Sequence, residues 1–204
     1  MNTVANSYVE NVHKPLPTVL DQDRGTFAML LVIFTELFLF ISLFFSYFML
    51  ENNKHRWSFN NPPKLGYALV MVVVLVTSSF VLHWGEKQVE KESRLAGRIA
   101  LAATIVIGLV FLTLQSFEYL SHWKTLAPYS DSYGSIFYAI TTFHAAHVIV
   151  GLLLLSYVLA LPRYAPARES PYRPYHVAAM YWHFVDIIWL FVVGILYIGA
   201  NYHL

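Results

Sequence analysis

Five long apolar segments limit what this chain can fold into. They cover residues 27–50, 65–84, 99–119, 136–161 and 177–200. Because an α-helix rises about 1.5 Å per residue, a helix of about twenty residues already spans the roughly 30 Å hydrocarbon core of a bilayer. Hydrophobic residues make up 57% of the chain and charged residues only 12%, against about a quarter in soluble domains. We therefore expect an all-α, polytopic membrane protein built as a bundle of five transmembrane helices.

The polar segments divide the chain into two parts. Residues 1–25 form a polar N-terminal tail, and residues 26–204 form the transmembrane domain. The tail lacks the features of a secretory signal, since the first apolar run begins only at Phe27. The charged stretch 85–98 is either a helical extension of span two or a plain loop, and we favour the extension. Span two also contains three hydroxyl residues that are able to bond a neighbouring helix or their own helix's carbonyls: Thr77, Ser78 and Ser79.

The lysines and arginines predict the orientation of the chain in the membrane. Nine of the 13 lie on the side of the N-terminus, and four lie on the opposite side. Basic residues concentrate on the cytoplasmic side of membrane proteins. We therefore expect the N-terminus in the cytoplasm and the C-terminus outside.

Two spans each contain a pair of ionisable residues deep within the apolar sequence. His144 and His147 lie on span four, and His183 and Asp186 lie on span five. The members of each pair are three residues apart and share a helical face, and such groups are tolerated only where they face partner helices. Three imidazoles and a carboxylate are a possible ligand set for zinc, iron or copper. The alternative is a hydrogen-bonded latch between helices, with His183 and Asp186 bonded to His144 or His147.

Glu36 is the single charged residue of span one. It lies about 14 Å along the helix from Phe27, and no residue of its own span is able to pair with it. An unpaired acid inside a membrane is a functional candidate by default, and we expect it to be neutral there. Glu118, at the end of span three, is expected to be a wet interfacial acid. The candidates for interfacial or lipid head-group contacts are Glu118, His83, Arg163 and His176.

Four motifs occur in the same order as in a known family. They are Thr35 to Phe40, Gln115 to Tyr119, Asp131 to Gly151, and the run YWHFVDIIW from Tyr181 to Trp189. In these motifs the chain closely resembles the cytochrome c oxidase subunit 3 family, the third membrane subunit of heme-copper oxidases. Many members have two further spans at the N-terminus, so the resemblance implies a short, five-helix bacterial form.

The resemblance implies a non-catalytic subunit. The family has no heme or metal in this subunit, so we expect no catalytic, cofactor-binding or metal-binding residue here, with heme and copper in partner subunits. For this reason, and because the spans lack the Glu-x-x-His pattern of bundle carboxylates, we favour the latch over the metal site. Glu36 matches the family's intramembrane glutamate, which reacts with a carbodiimide. The chain departs from the family at His176, where relatives often have Glu, and where Ala145 and Ala146 replace a motif glycine.

The implied activity belongs to a complex, either a cytochrome c oxidase or a quinol oxidase. Such a complex reduces oxygen to water and pumps protons in aerobic respiration, with cytochrome c or quinol as the electron donor. The subunit is expected to pack on subunit 1, with subunit 2 and further oxidase subunits nearby, and to bind phospholipid in the bacterial plasma (inner) membrane. The net charge of +1 does not indicate the basic surface that binding of nucleic acid would need.

Two other functions are compatible with these features. One is the accessory subunit of a nitric oxide reductase, a shortened relative within the same fold. The other is a small proton-coupled transporter that uses Glu36 and Asp186 as a proton relay. The absence of broken helices and internal repeats from the sequence argues against the transporter.

Overall fold

The structure is a computed structural model that describes residues 19–53, 65–122, 132–161 and 172–199. These residues form five α-helices: α1 Val19–Asn53, α2 Leu65–Glu90, α3 Arg94–His122, α4 Ser132–Ala160 and α5 Tyr172–Val192. A π-helical segment, Val193–Gly199, continues α5. All five helices are long and apolar enough to cross a membrane. The expected all-α bundle of five spans is therefore confirmed, and no strand occurs within the described ranges.

The helices extend beyond the apolar segments that predicted them. Residues 19–25, which were expected to belong to the tail, are already helical, since α1 begins at Val19. The helical extension of span two forms as far as Glu90, and a short turn then leads into α3. Polar residues with good helix propensity are able to continue a helix into the head-group layers, which widen the bilayer to about 40–45 Å. The loop that contains Arg163 lies outside the described residues.

The turn between α2 and α3 is closed by backbone hydrogen bonds. The Ser93 amide donates to the Gln88 carbonyl at 2.9 Å, and the Glu92 amide donates to the Val89 carbonyl at 3.0 Å. This is the pattern of a Schellman motif, with Glu92 at φ 62° in the left-handed position that glycine usually takes. The first turn of α3 then follows, since the Gly97 amide donates to the Ser93 carbonyl. The helical hairpin is therefore fixed at its turn by local bonds.

Helix α5 lies at the centre of the bundle, packed against α1, α2 and α4. Its Trp182 is fully buried, and its indole nitrogen donates to the Ser78 hydroxyl of α2 at 2.9 Å. A Cβ atom on Gly108 of α3 would lie 2.7 Å from Trp182, and one on Gly151 of α4 would lie 2.9 Å from it. Both glycines thus leave the space that the indole ring occupies, and one tryptophan joins four helices.

Helix α1 lies at the edge of the bundle, where it packs mainly against α4 and α5. Its apolar part is the least buried of the five spans, and among its described residues only Phe40 and Tyr47 are fully buried. Large apolar side chains cover the remaining faces of the helix, among them Phe27, Leu31, Phe34, Phe38 and Phe45. Most of the α1 surface is therefore left to lipid or to another protein.

Candidate functional site

Glu36 forms a pair with His147 of α4. The Nε2 atom of His147 lies 3.0 Å from Oε2 of Glu36, and its Nδ1 atom lies 2.6 Å from the carbonyl oxygen of Phe143. Because a carbonyl only accepts, Nδ1 carries a proton and donates to Phe143. Nε2 then either accepts from a neutral Glu36 or, as part of an imidazolium, donates to its carboxylate. The sequence placed no partner for Glu36 on its own span, and the structure supplies one from another helix.

His144 lies one turn before His147 and takes no part in that pair. Its ring is fully buried, 4.8 Å from the Trp189 ring and 5.7 Å from the Phe111 ring between centroids. Neither ring nitrogen has a hydrogen-bond partner among the residues that the structure describes. His144 is therefore enclosed by aromatic rings, and the latch expected from the sequence does not include it.

His183 and Asp186 bond to α2 instead of α4. The Ser79 hydroxyl lies 2.8 Å from Nδ1 of His183 and donates to Oδ2 of Asp186. Within the described ranges no bond joins this pair to His144 or His147. The structure therefore corrects the expected bond between spans five and four. The reason is geometric, since α5 contacts both α2 and α4 and these two side chains lie on the side of α2.

The polar sets on spans four and five are therefore separate. His147 pairs with Glu36 of α1, while His183 and Asp186 share Ser79. The three imidazoles and one carboxylate considered as a ligand set do not meet as one site. Two of the hydroxyl residues singled out from the sequence, Ser78 and Ser79, do bond a neighbouring helix, and Thr77 bonds the Val73 carbonyl of its own helix.

Glu118 is buried and not at a wet edge. Its side chain is only 2% exposed, and the Tyr197 hydroxyl lies 2.9 Å from both of its carboxyl oxygens. Tyr197 belongs to the π-helical segment, where Tyr133 of α4 also donates a hydrogen bond, to the Leu196 carbonyl at 2.9 Å. The end of α3 is thus covered by α4 and by the continuation of α5, which the linear sequence did not indicate.

Two of the other head-group candidates, His83 and His176, meet around a residue that the sequence did not single out. Nδ1 of His176 lies 2.6 Å from one oxygen of Glu86, and Nδ1 of His83 lies 3.6 Å from the other. The sequence feature that could have indicated Glu86 is its spacing from His83, since the two residues are three apart and share a helical face. His176, near the start of α5, is here the partner of an acid on α2.

The geometry first defines a class of protein. It is a polytopic helical membrane protein whose ionisable side chains bond one helix to another, with an apolar helix left uncovered at its edge. The family model described as cytochrome c oxidase subunit III matches residues 18–201. The chain therefore belongs to the cytochrome c oxidase subunit III family.

Curated relatives agree with this assignment. A protein of Thermostichus vulcanus named cytochrome c oxidase subunit 3 is 31% identical over 187 residues, which cover 88% of this chain and 90% of the relative. A protein of Synechocystis with the same name is 31% identical over 180 residues, which cover 86% of this chain and 76% of the relative. A third relative with this name, from Corynebacterium diphtheriae, is 34% identical over 167 residues, which cover 76% of this chain and 78% of the relative. The chain is thus a multi-pass membrane subunit of an oxidase complex of the respiratory chain.

Proposed function

We propose that this chain is the non-catalytic third subunit of a heme-copper terminal oxidase in the bacterial plasma membrane. It packs on the heme-copper subunit, close to subunit 2, while heme and copper reside in those partners. Through this packing and through bound phospholipid it supports oxygen reduction to water and proton pumping by the complex. The electron donor of the complex is cytochrome c or quinol.

The uncovered surface of α1 is the observation on which this proposal depends. Phe34 and Phe38, which stack edge to face with ring centroids 4.8 Å apart, are both more than half exposed. Apolar side chains of this size, on a helix that the rest of the bundle barely covers, match lipid acyl chains or the helices of a partner. The surface is therefore suited to assembly and lipid contact.

Glu36 contributes to the same role from the inner side of α1. Its bond to His147 holds α1 against α4 at a depth where water does not compete for either group. We assign to Glu36 the carbodiimide-reactive acid of the family, and to the pair the task of keeping α1 in place while its outer faces bind lipid or protein.

Deletion of this chain from its oxidase tests the proposal. The complex purified without it should retain its heme absorption and its initial rate of oxygen consumption, but it should lose activity faster during turnover and pump fewer protons per electron. Loss of the heme spectrum would contradict a non-catalytic role. Unchanged turnover stability and proton yield would contradict a supporting one.

A second measurement separates assembly from function. Phe38→Lys places a charge on the uncovered face of α1, whereas Leu153→Lys places one on an exposed face of α4. If α1 is the assembly surface, Phe38→Lys should release the subunit from the purified complex and Leu153→Lys should release much less. Equal retention of both variants would contradict the assignment of this surface.

A further inference from the structure

Four ionisable side chains lie together between α2 and α5. One ligand atom from each of His83, Glu86 and His183 lies within 4.8 Å of the other two. His176, near the start of α5, approaches the same carboxylate, with its Nδ1 atom 2.6 Å from Glu86. This group differs from the three histidines and one aspartate that the sequence suggested as a ligand set. The two groups have only His183 in common.

The hydrogen bonds around His183 leave one of its nitrogens able to bind a metal ion. Ser79 uses its hydroxyl proton to donate to Asp186, so its oxygen accepts from Nδ1–H of His183. In a neutral imidazole the other nitrogen, Nε2, then has a free lone pair. Zinc-binding histidines usually donate their second N–H to a carboxylate, a backbone carbonyl or water, and here Nδ1–H of His183 reaches the Asp186 carboxylate through the Ser79 hydroxyl.

Glu86 is oriented in a similar way. Its Oε1 atom is bonded to His176, and its Oε2 atom lies 3.6 Å from Nδ1 of His83. One carboxylate oxygen is thus fixed by His176, while the other lies towards His83. The three ligand atoms lie within 4.8 Å of one another, so an ion between them requires an inward movement of ligands, and His83 is free to move because its side chain is 53% exposed.

An ion is able to reach this group from the membrane surface. His83 lies seven residues before the end of α2 at Glu90, about 10 Å along the helix, which is close to the head-group layer. His83 is exposed on the outside of the bundle and His183 is half-buried. The group therefore combines an accessible ligand with two that are held in place.

We propose that His83, Glu86 and His183 bind a divalent transition metal ion of zinc-like chemistry. Two imidazoles and one carboxylate are an established ligand set for Zn²⁺, with a fourth position left for water. The ion would join α2 to α5, with His176 and the Ser79–Asp186 pair orienting its ligands. This proposal departs from the expectation from sequence, which assigned no metal site to the chain, and it does not depend on the oxidase role.

Calorimetric titration of the full chain with Zn²⁺ tests the proposal. The protein is purified in detergent without a polyhistidine tag and is treated with a chelator before ZnCl₂ is added. We expect one Zn²⁺ per chain. Glu86→Gln and His83→Ala should each weaken binding by more than the 10–100-fold that is typical of outer-shell changes. Co²⁺ in place of Zn²⁺ should give the visible absorption of a four-coordinate site.

His147→Ala is the matched control, because it removes a histidine that pairs with a different acid on the other side of α5. Its Zn²⁺ affinity should equal that of the unchanged chain. Helix content and elution from a sizing column establish that each variant is folded, and the exposed His83 is the substitution that disturbs packing least. Absence of Zn²⁺ binding by the unchanged chain, or equal binding by the folded His83→Ala and Glu86→Gln variants, would overturn the proposal.

Discussion

Polar side chains inside this bundle bond across helices in separate small groups. Glu36 pairs with His147, and Glu118 pairs with Tyr197, each between two neighbouring helical segments. Such bonds matter in a membrane because hydrocarbon offers no alternative partner, although their measured contributions are modest. Because the two pairs have no residue in common, loss of one is expected to loosen its own pair of helices and leave the other intact.

The Glu36–His147 bond predicts a measurable coupling energy. We expect Glu36→Ala and His147→Ala together to destabilise the chain less than the sum of the two single changes. The difference should be about 0.6 to 1.7 kcal/mol, the range found for hydrogen bonds between membrane helices. Reversible unfolding of the four proteins in detergent micelles measures it.

Asp186→Ala combined with His147→Ala is the control for this cycle. The two residues share no bond in the structure, so their effects should add to within about 0.5 kcal/mol. Coupling between Asp186 and His147 with none between Glu36 and His147 would mean that the polar groups are paired as the sequence suggested and not as described here.

At the scale of helices, apolar length predicted the five spans because a lipid-exposed backbone must satisfy its own hydrogen bonds. The neighbours of each helix could not be predicted in this way, since apolar residues lie on every face. Ser79 was identified as able to bond another helix, but its partners depend on α5 being next to α2. Glu118 was expected at a wet edge because nothing in the linear sequence indicated that a π-helical segment would bring Tyr197 over it.

Close packing around Trp182 predicts that Gly108→Ala is destabilising. The added Cβ atom would lie 2.7 Å from both Trp182 and Leu152, so both of these buried side chains, or α3 itself, must move. Such overpacking costs about 1–3 kcal/mol, which thermal or denaturant unfolding in micelles would detect.

Gly66→Ala provides a control for that substitution within a transmembrane helix. Nothing lies within 4 Å of the position of its Cβ atom, so only helix propensity changes. Alanine is the better helix former by about 1 kcal/mol in a helix interior and by less in the first turn, where Gly66 lies, so the variant should be as stable as the unchanged chain or slightly more stable. Equal losses for Gly66→Ala and Gly108→Ala would argue against close packing at Trp182.

At the scale of the whole molecule, the distribution of basic residues predicts which ends of the helices face the cytoplasm. The chain has no cysteine, so single introduced cysteines report their own side of the membrane without background. We expect Ser121→Cys, at the end of α3, to react with an impermeant maleimide applied to intact cells. Glu92→Cys, in the turn between α2 and α3, should react only after the membrane is permeabilised, and the reverse pattern would contradict the orientation.

The central position of α5 has a consequence for the order of assembly during synthesis. Translation proceeds from the N-terminus, so α5 emerges after the other four helices, although it is the most buried of the five. Until it arrives, Ser79 has no partner on α5 and the space beside Gly108 and Gly151 has no tryptophan to fill it. Until α5 inserts, the first four helices therefore remain in the bilayer as an incompletely packed bundle. A nascent chain stalled before Tyr172 should be a preferred substrate for membrane proteases, while one that has inserted α5 should be protected.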